Sequence, residues 1–185
     1  MSPFVGYGYG IPKAVKYLLI INVAIFVLGV LFPRLLPMGL LALIPEAVNT
    51  SFTIWQFFTY MFLHADIWHL AINMFVLWMF GTELEYNWGT LDFAKFYLIC
   101  GIGGGIMVWL TSFVNLSDPM SYTIGASGAI FGLLVAYGLM WPDRMIYVFG
   151  IIPLRAMQFV IIIGAIELFQ GLTRTGGRIA VFAHI

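Results

Sequence analysis

From Lys16 to Phe32 the chain runs without a charge after the first residue, and four more long apolar runs follow it. A run of that length spans the hydrocarbon of a bilayer. Only 9% of residues are charged and 62% are hydrophobic, whereas a water-soluble domain carries about 25% charged residues. The chain therefore lacks the means to cover itself with a hydrated surface, and the reading is an integral membrane protein. The zero net charge gives no basic face for nucleic acid. The single cysteine, Cys100, excludes an internal disulfide.

The apolar runs set the expected organisation. The first, Lys16 to Phe32, is too long for a signal-peptide core and is read as a retained helix. Residues 33–54 are apolar but interrupted by Pro33, Pro37 and Pro45, which suits a loop lying in the membrane interface better than a span. The second helix is expected after Asp66, a suitable N-cap, and to end at Phe80 in a turn, "GTELEYNWGT". The third is expected from Phe93 to Phe113 and carries the close-packing run "GIGGG". The fourth, Ser127 to Met140, is short for a membrane about 30 Å thick. The fifth is expected from Met145 to Phe169, followed by the glycine-rich loop 171–178. A sixth segment starts near Ile179 and stops at Ile185, too short to cross. Residues 1–185 thus read as one all-α, polytopic membrane bundle, with 1–15 an N-terminal tail and the sixth helix truncated at 185. Lys13, Lys16, Lys95, Arg144 and Arg155 fall on one side and Arg34, Arg174 and Arg178 on the other, which favours a cytoplasmic N-terminus. A prokaryotic inner (plasma) membrane is the expected location, because no organelle-targeting peptide is evident.

Polar residues inside apolar spans need a reason. His64, His69 and His184 are the only histidines, Asn73 lies four residues after His69 on one helix face, and Ser127 opens the fourth span. Singly, each has an ordinary explanation. A serine among glycines packs helices, Gly128 and Gly132 form a small-xxx-small pair, and an intramembrane His or Asn bonds a neighbour. Together they form a set suited to acyl transfer. A serine at a helix start has unpaired N–H groups and a positive dipole end beside it. A histidine elsewhere can act as base, a His/Asn pair can donate to an oxyanion, and Gly125 and Gly128 leave room beside the serine. Other sites fit worse. His64 and His69 are five apart, which is not the H-E-x-x-H zinc spacing, and the "GIGGGI" run has neither a preceding strand nor a following Lys for a phosphate loop. No metal, nucleotide or other cofactor is expected.

In this order the segments "WQFFTYMFLHADIWHLAINMF", "GTELEYNWG", "GASGAIFG" and "AHI" resemble the rhomboid intramembrane serine proteases, over most of the chain. The resemblance implies a six-helix core with Ser127 as nucleophile and His184 as its base. It implies an oxyanion site made by the Ser127 N–H, His69 and Asn73, with His64, Gly125 and Gly128 supporting. It also implies Ala180 and Ala183 at a close contact between the fourth and sixth helices, and a cap at 171–178. The substrates would be single-pass or polytopic membrane proteins, cut in or near a transmembrane helix in the lipid bilayer. This chain departs from the family in two ways. It has Trp55-Gln56 where Trp-Arg is frequent, so the charge-assisted anchoring of the first loop is missing. It also stops before the glycine expected beyond Ile185, so this 185-residue chain is expected to be inactive or weakly active. Two rival readings are a non-cleaving rhomboid-like pseudoprotease and a small transporter. The first normally lacks the Ser or His, and the second needs a polar pathway or inverted repeats.

Overall fold

The computed structural model describes residues 10–114, 117–148 and 150–173, with side chains described to residue 166. Its helices are α1 (Lys13–Leu31), the short α2 (Met38–Leu41), α3 (Pro45–Ser51) and α4 (Gln56–Thr59), then α5 (Ile67–Val76), α6 (Thr82–Trp88), α7 (Thr90–Phe113), α8 (Ser127–Met140) and α9 (Ala156–Thr173). A two-stranded hairpin, β1 (Met145–Val148) and β2 (Ile152–Arg155), precedes α9. The helical bundle is the expected one. Among the described residues three helices are long and apolar enough to cross a membrane, namely Lys13–Leu31, Ile67–Trp88 and Thr90–Phe113.

α8 is the central element. It packs most extensively against α7 and also against α9 and α5, and Ala129, Ile130, Leu133, Leu134, Tyr137 and Gly138 are all buried. Its 14 residues span only about 21 Å at 1.5 Å per residue, less than a hydrocarbon core of about 30 Å. Close approach of α7 is made possible by glycine. A Cβ on Gly104 would lie 3.2 Å from the Cα of Gly128, and one on Gly132 would lie 2.4 Å from Cys100 Sγ. The "GIGGG" run and the Gly128/Gly132 pair are thus the two halves of one seam.

At the end of the bundle where α1 begins, Glu85 is almost wholly buried. Its Oε1 accepts from the Ala14 N–H at 2.9 Å and the Thr90 hydroxyl at 2.8 Å, and its Oε2 from the Val15 N–H at 2.8 Å. A carboxylate from a distant helix thereby meets the unpaired donors and the positive dipole end of α1. α1 starts at Lys13, inside the segment read as a tail.

Three expectations are corrected. The second span does not end at Phe80 in a turn. It continues through a π turn, Leu77–Gly81, into α6 and ends at Gly89, whose φ is 83°. Gly81 serves packing, because a Cβ there would lie 3.1–3.2 Å from Leu77, Phe93 and Val15. The fifth span does not begin at Met145. Residues 145–155 form the hairpin, with Gly150 at φ 72° in its turn and Pro153 opposite Tyr147. Proline is excluded from a helix interior but tolerated in an edge strand, and the helix starts only at Ala156. Finally, Gly171–Thr173 continue α9, so the glycine-rich stretch leaves the helix later than expected. Residues 174–185 lie outside the described residues.

Candidate active site

Ser127 is the first residue of α8, partly exposed, between buried Ala126 and Ala129. The loop before it is held at several points. The Gly125 N–H donates to the Tyr60 carbonyl at 2.9 Å. Leu43 and Thr123 exchange both backbone bonds, at 3.0 and 2.8 Å, and the Glu46 N–H donates to the Pro119 carbonyl at 3.0 Å. The proline-broken segment 33–54 is therefore hydrogen-bonded to the approach to Ser127.

That segment is anchored in its turn, despite the absent arginine. Gln56 is fully buried. Its Oε1 accepts from the Ile44 N–H at 3.0 Å, and its Nε2 donates to the Gly39 carbonyl at 3.1 Å. Trp55 Nε1 donates to the Leu40 carbonyl at 2.9 Å and Thr59 Oγ1 to the Leu41 carbonyl at 2.6 Å. The missing charge-assisted anchoring is replaced by neutral bonds. An amide carries both donor and acceptor, so Gln56 meets an N–H and a C=O together, which a guanidinium cannot do.

His69 reaches the serine loop from α5. Asp66 caps that helix as expected, its Oδ1 accepting from the Trp68 N–H at 2.8 Å and the His69 N–H at 2.9 Å. The Ala65 N–H donates to His69 Nδ1 at 3.4 Å. A neutral imidazole that accepts at Nδ1 carries its proton on Nε2. That Nε2 is buried, has no hydrogen-bond partner among the described residues, and would lie 2.7 Å from a Cβ built on Gly125. The geometry thus assigns an unspent N–H donor to the loop two residues before Ser127. It also explains Gly125, which combines φ 117° with the ring of His69 where a side chain would stand.

His64 lies behind His69, ring centroids 5.0 Å apart and edge to face. It is buried, with neither ring nitrogen hydrogen-bonded among the described residues. Burial, then the neighbouring His69, push its pKa from 6.5 down to about 4. His64 is thus a neutral wall behind the donor. Asn73 is buried one turn beyond His69, and its Nδ2 donates to the His69 carbonyl at 2.8 Å. One of its two amide hydrogens is therefore used within α5. Gly128 faces Gly104 of α7, so its small size serves helix packing. His184, Ala180 and Ala183 lie outside the described residues.

One positioning residue escaped the sequence reading. Tyr60 is buried; its hydroxyl donates to the Gly101 carbonyl at 2.6 Å, its ring lies against Gly105, and its own carbonyl holds Gly125. It links α7 to the serine loop. Its partners are far away in the sequence, so no local pattern marks it.

A buried N–H donor beside a serine at a helix N-terminus is an arrangement able to stabilise negative charge on an attacked carbonyl. The comparisons with known proteins identify the family. A family model described as the Rhomboid domain matches residues 51–185. RHOMBOID-like protein 6, mitochondrial, of Arabidopsis thaliana is 36% identical over 132 residues, covering 71% of this chain and 39% of that protein. Rhomboid protease GluP of Bacillus subtilis is 44% identical over 82 residues, covering 44% of this chain and 15% of that protein. Rhomboid protein 1, mitochondrial, of Saccharomyces cerevisiae is 35% identical over 89 residues, 48% of this chain and 25% of that protein. The chain thus spans well under half the length of these relatives. The matched region contains His64, His69, Asn73 and Ser127 in order, within a bundle of membrane-spanning helices. This chain is an integral membrane protein that belongs to the rhomboid family.

Proposed function

We propose that the protein is an intramembrane serine endopeptidase that hydrolyses peptide bonds in or near transmembrane helices of other membrane proteins. The observation that carries this reading is the His69 Nε2–H, buried and unspent against the loop that delivers Ser127. A packing serine needs no such donor, and a buried donor without a partner is costly unless something else uses it. The likeness to Rhomboid protease GluP supports the same class of reaction.

In this mechanism His184 takes the proton from Ser127 Oγ as the oxygen attacks the scissile carbonyl. The oxyanion is held by the Ser127 N–H, the His69 Nε2–H and the second Asn73 amide hydrogen. His184 then gives its proton to the leaving amine, and water releases the acyl group from Ser127. In this reading the short α8 holds Ser127 below the membrane surface, where a water-lined cavity is needed. A substrate helix hides its carbonyls in its own hydrogen bonds, so residues that weaken it, Gly or Pro, favour cleavage. The N-terminus is assigned to the cytoplasm, as Lys13, Lys16, Lys95, Arg144 and Arg155 lie near the end of the bundle where Glu85 meets α1 and Thr90 and where Glu83 pairs with Arg144.

The test is cleavage of a transmembrane substrate with a central Gly-Pro pair in proteoliposomes. Ser127→Ala is expected to abolish cleavage, and His69→Ala to lower the rate by about 10²–10³-fold, as for loss of one oxyanion donor. Binding of the substrate without cleavage by the wild-type protein would instead indicate the pseudoprotease.

A further inference from the structure

A second feature of the bundle has the makings of a binding site, on the side of segment 33–62 that meets α1. Between α1 and this segment runs a groove of about 410 Å³, lined by Ile21, Ile25, Leu36, Leu41, Phe58 and Phe62 among others. Its one polar side chain, Thr59, already donates its hydroxyl to the Leu41 carbonyl at 2.6 Å. The lining therefore offers no unspent polar group, and an occupant with polar atoms would leave them unmet. Ile25 and Ile21 stand six and ten residues before Leu31, so the groove reaches about 9–15 Å inward from the end of α1. An α-helix over even the shorter length would displace roughly 700 Å³, given its diameter of about 10 Å. The groove is too small for a helix and suits a single hydrocarbon chain.

A charge stands at its outer end. Arg34 sits in the turn Pro33–Leu35, which follows α1 directly, and is exposed. It has no ion-pair partner among the described residues, as Lys13 and Lys16 at the other end of α1 have none, whereas Lys95, Arg144 and Arg155 each have one. Leu36, two residues on, lines the groove and folds back within reach of Gly29, whose added Cβ would lie 3.5 Å from Leu36 Cδ1. Arg34, without an ion-pair partner among the described residues, thus stands two residues from a groove-lining side chain, in the turn where α1 ends.

We propose that this is a binding site for one anionic phospholipid, its phosphate on Arg34 and one acyl chain along the groove. An anionic head and an apolar tail match the charge at the mouth and the dry lining behind it. The proposal rests on membrane insertion alone and stands or falls independently of Ser127 chemistry.

Native mass spectrometry of the intact protein released from detergent micelles tests it, with dioleoyl phosphatidylglycerol against dioleoyl phosphatidylcholine as probes. Wild-type protein is expected to retain the phosphatidylglycerol about fivefold more, the usual worth of one basic residue near an anionic lipid. Arg34→Gln is expected to erase that preference. Lys16→Gln, which removes an exposed cation at the other end of α1, is expected to leave it intact. Ile21→Trp, at an exposed position of the groove lining, is expected to fill the groove and lower retention of both lipids. Equal retention of the two lipids by wild type, an unchanged preference in Arg34→Gln, or equal loss in Lys16→Gln would each overturn the proposal.

Discussion

Replacing Gly125 by alanine tests the link between backbone conformation and the donor at the site. Two penalties are built into that position. Its φ of 117° lies where a residue with a Cβ is strained by about 1–3 kcal/mol. The new Cβ would also lie 2.7 Å from His69 Nε2 and 2.8 Å from Cε1. Ordinary contact begins near 3.4 Å, so the ring must retreat by more than half an ångström. His69 cannot retreat freely, because the Ala65 N–H holds its Nδ1 and His64 backs its ring. The strain therefore falls on the loop, on the ring, or on both. Unfolding titration in mixed micelles is expected to show a loss of about 1–3 kcal/mol. Cleavage is expected to fall by about 100-fold even where the protein remains folded, since a displacement near 1 Å has that effect on a positioned group. Gly125→Ala with wild-type turnover and stability within about 0.5 kcal/mol would refute the reasoning.

Further outcomes follow from other parts of the structure. Gln56→Leu leaves the Ile44 N–H and the Gly39 carbonyl without their partner, and is expected to lower stability by about 2–4 kcal/mol in the same titration. It should lower activity too, since segment 33–54 is bonded to the serine loop. Gly132→Ala drives a methyl to 2.4 Å from Cys100 Sγ and is expected to destabilise by about 1–3 kcal/mol. Adding Cys100→Gly removes the clash, so the double variant should be more stable than Gly132→Ala alone in a double-mutant cycle. The folded pKa of His64 is depressed, to about 4 from 6.5, so its contribution to stability is complete above the unfolded value and is lost as pH falls toward 4. Wild type is expected to lose up to about 3 kcal/mol more than His64→Gln over that interval. Parallel pH–stability curves for the two would contradict this.

How much of this was legible beforehand depended on whether the signal was local. The apolar runs gave the bundle, and Ser127 to Met140 was read with the bounds that α8 has. The Asp66 cap was readable because capping is decided within three residues. Gly81 misled, because glycine reads as a turn in sequence, and only the nearness of Val15 and Phe93 shows it to be a packing residue. The hairpin at 145–155 was hidden inside an apolar run, although Gly150 and Pro153 marked it. Gln56 was judged by the charge it lacks, while its function lies in pairing an amide with two backbone groups twelve and seventeen residues earlier. Tyr60 had no signal at all, since its hydroxyl partner is 41 residues away. At the site, pattern placed His69 and Asn73 on one face of a helix, but only coordinates show Nδ1 accepting from Ala65 and so leave the Nε2 proton for the serine loop.

The most direct test of the central claim is labelling of the intact protein in detergent with a fluorophosphonate, alongside Ser127→Ala, His184→Ala and His69→Ala. The account predicts wild-type labelling that is lost in Ser127→Ala and His184→Ala and slowed in His69→Ala. Labelling that persists in Ser127→Ala, or a folded wild-type protein that takes no label while a small probe reaches its cavity, would contradict it.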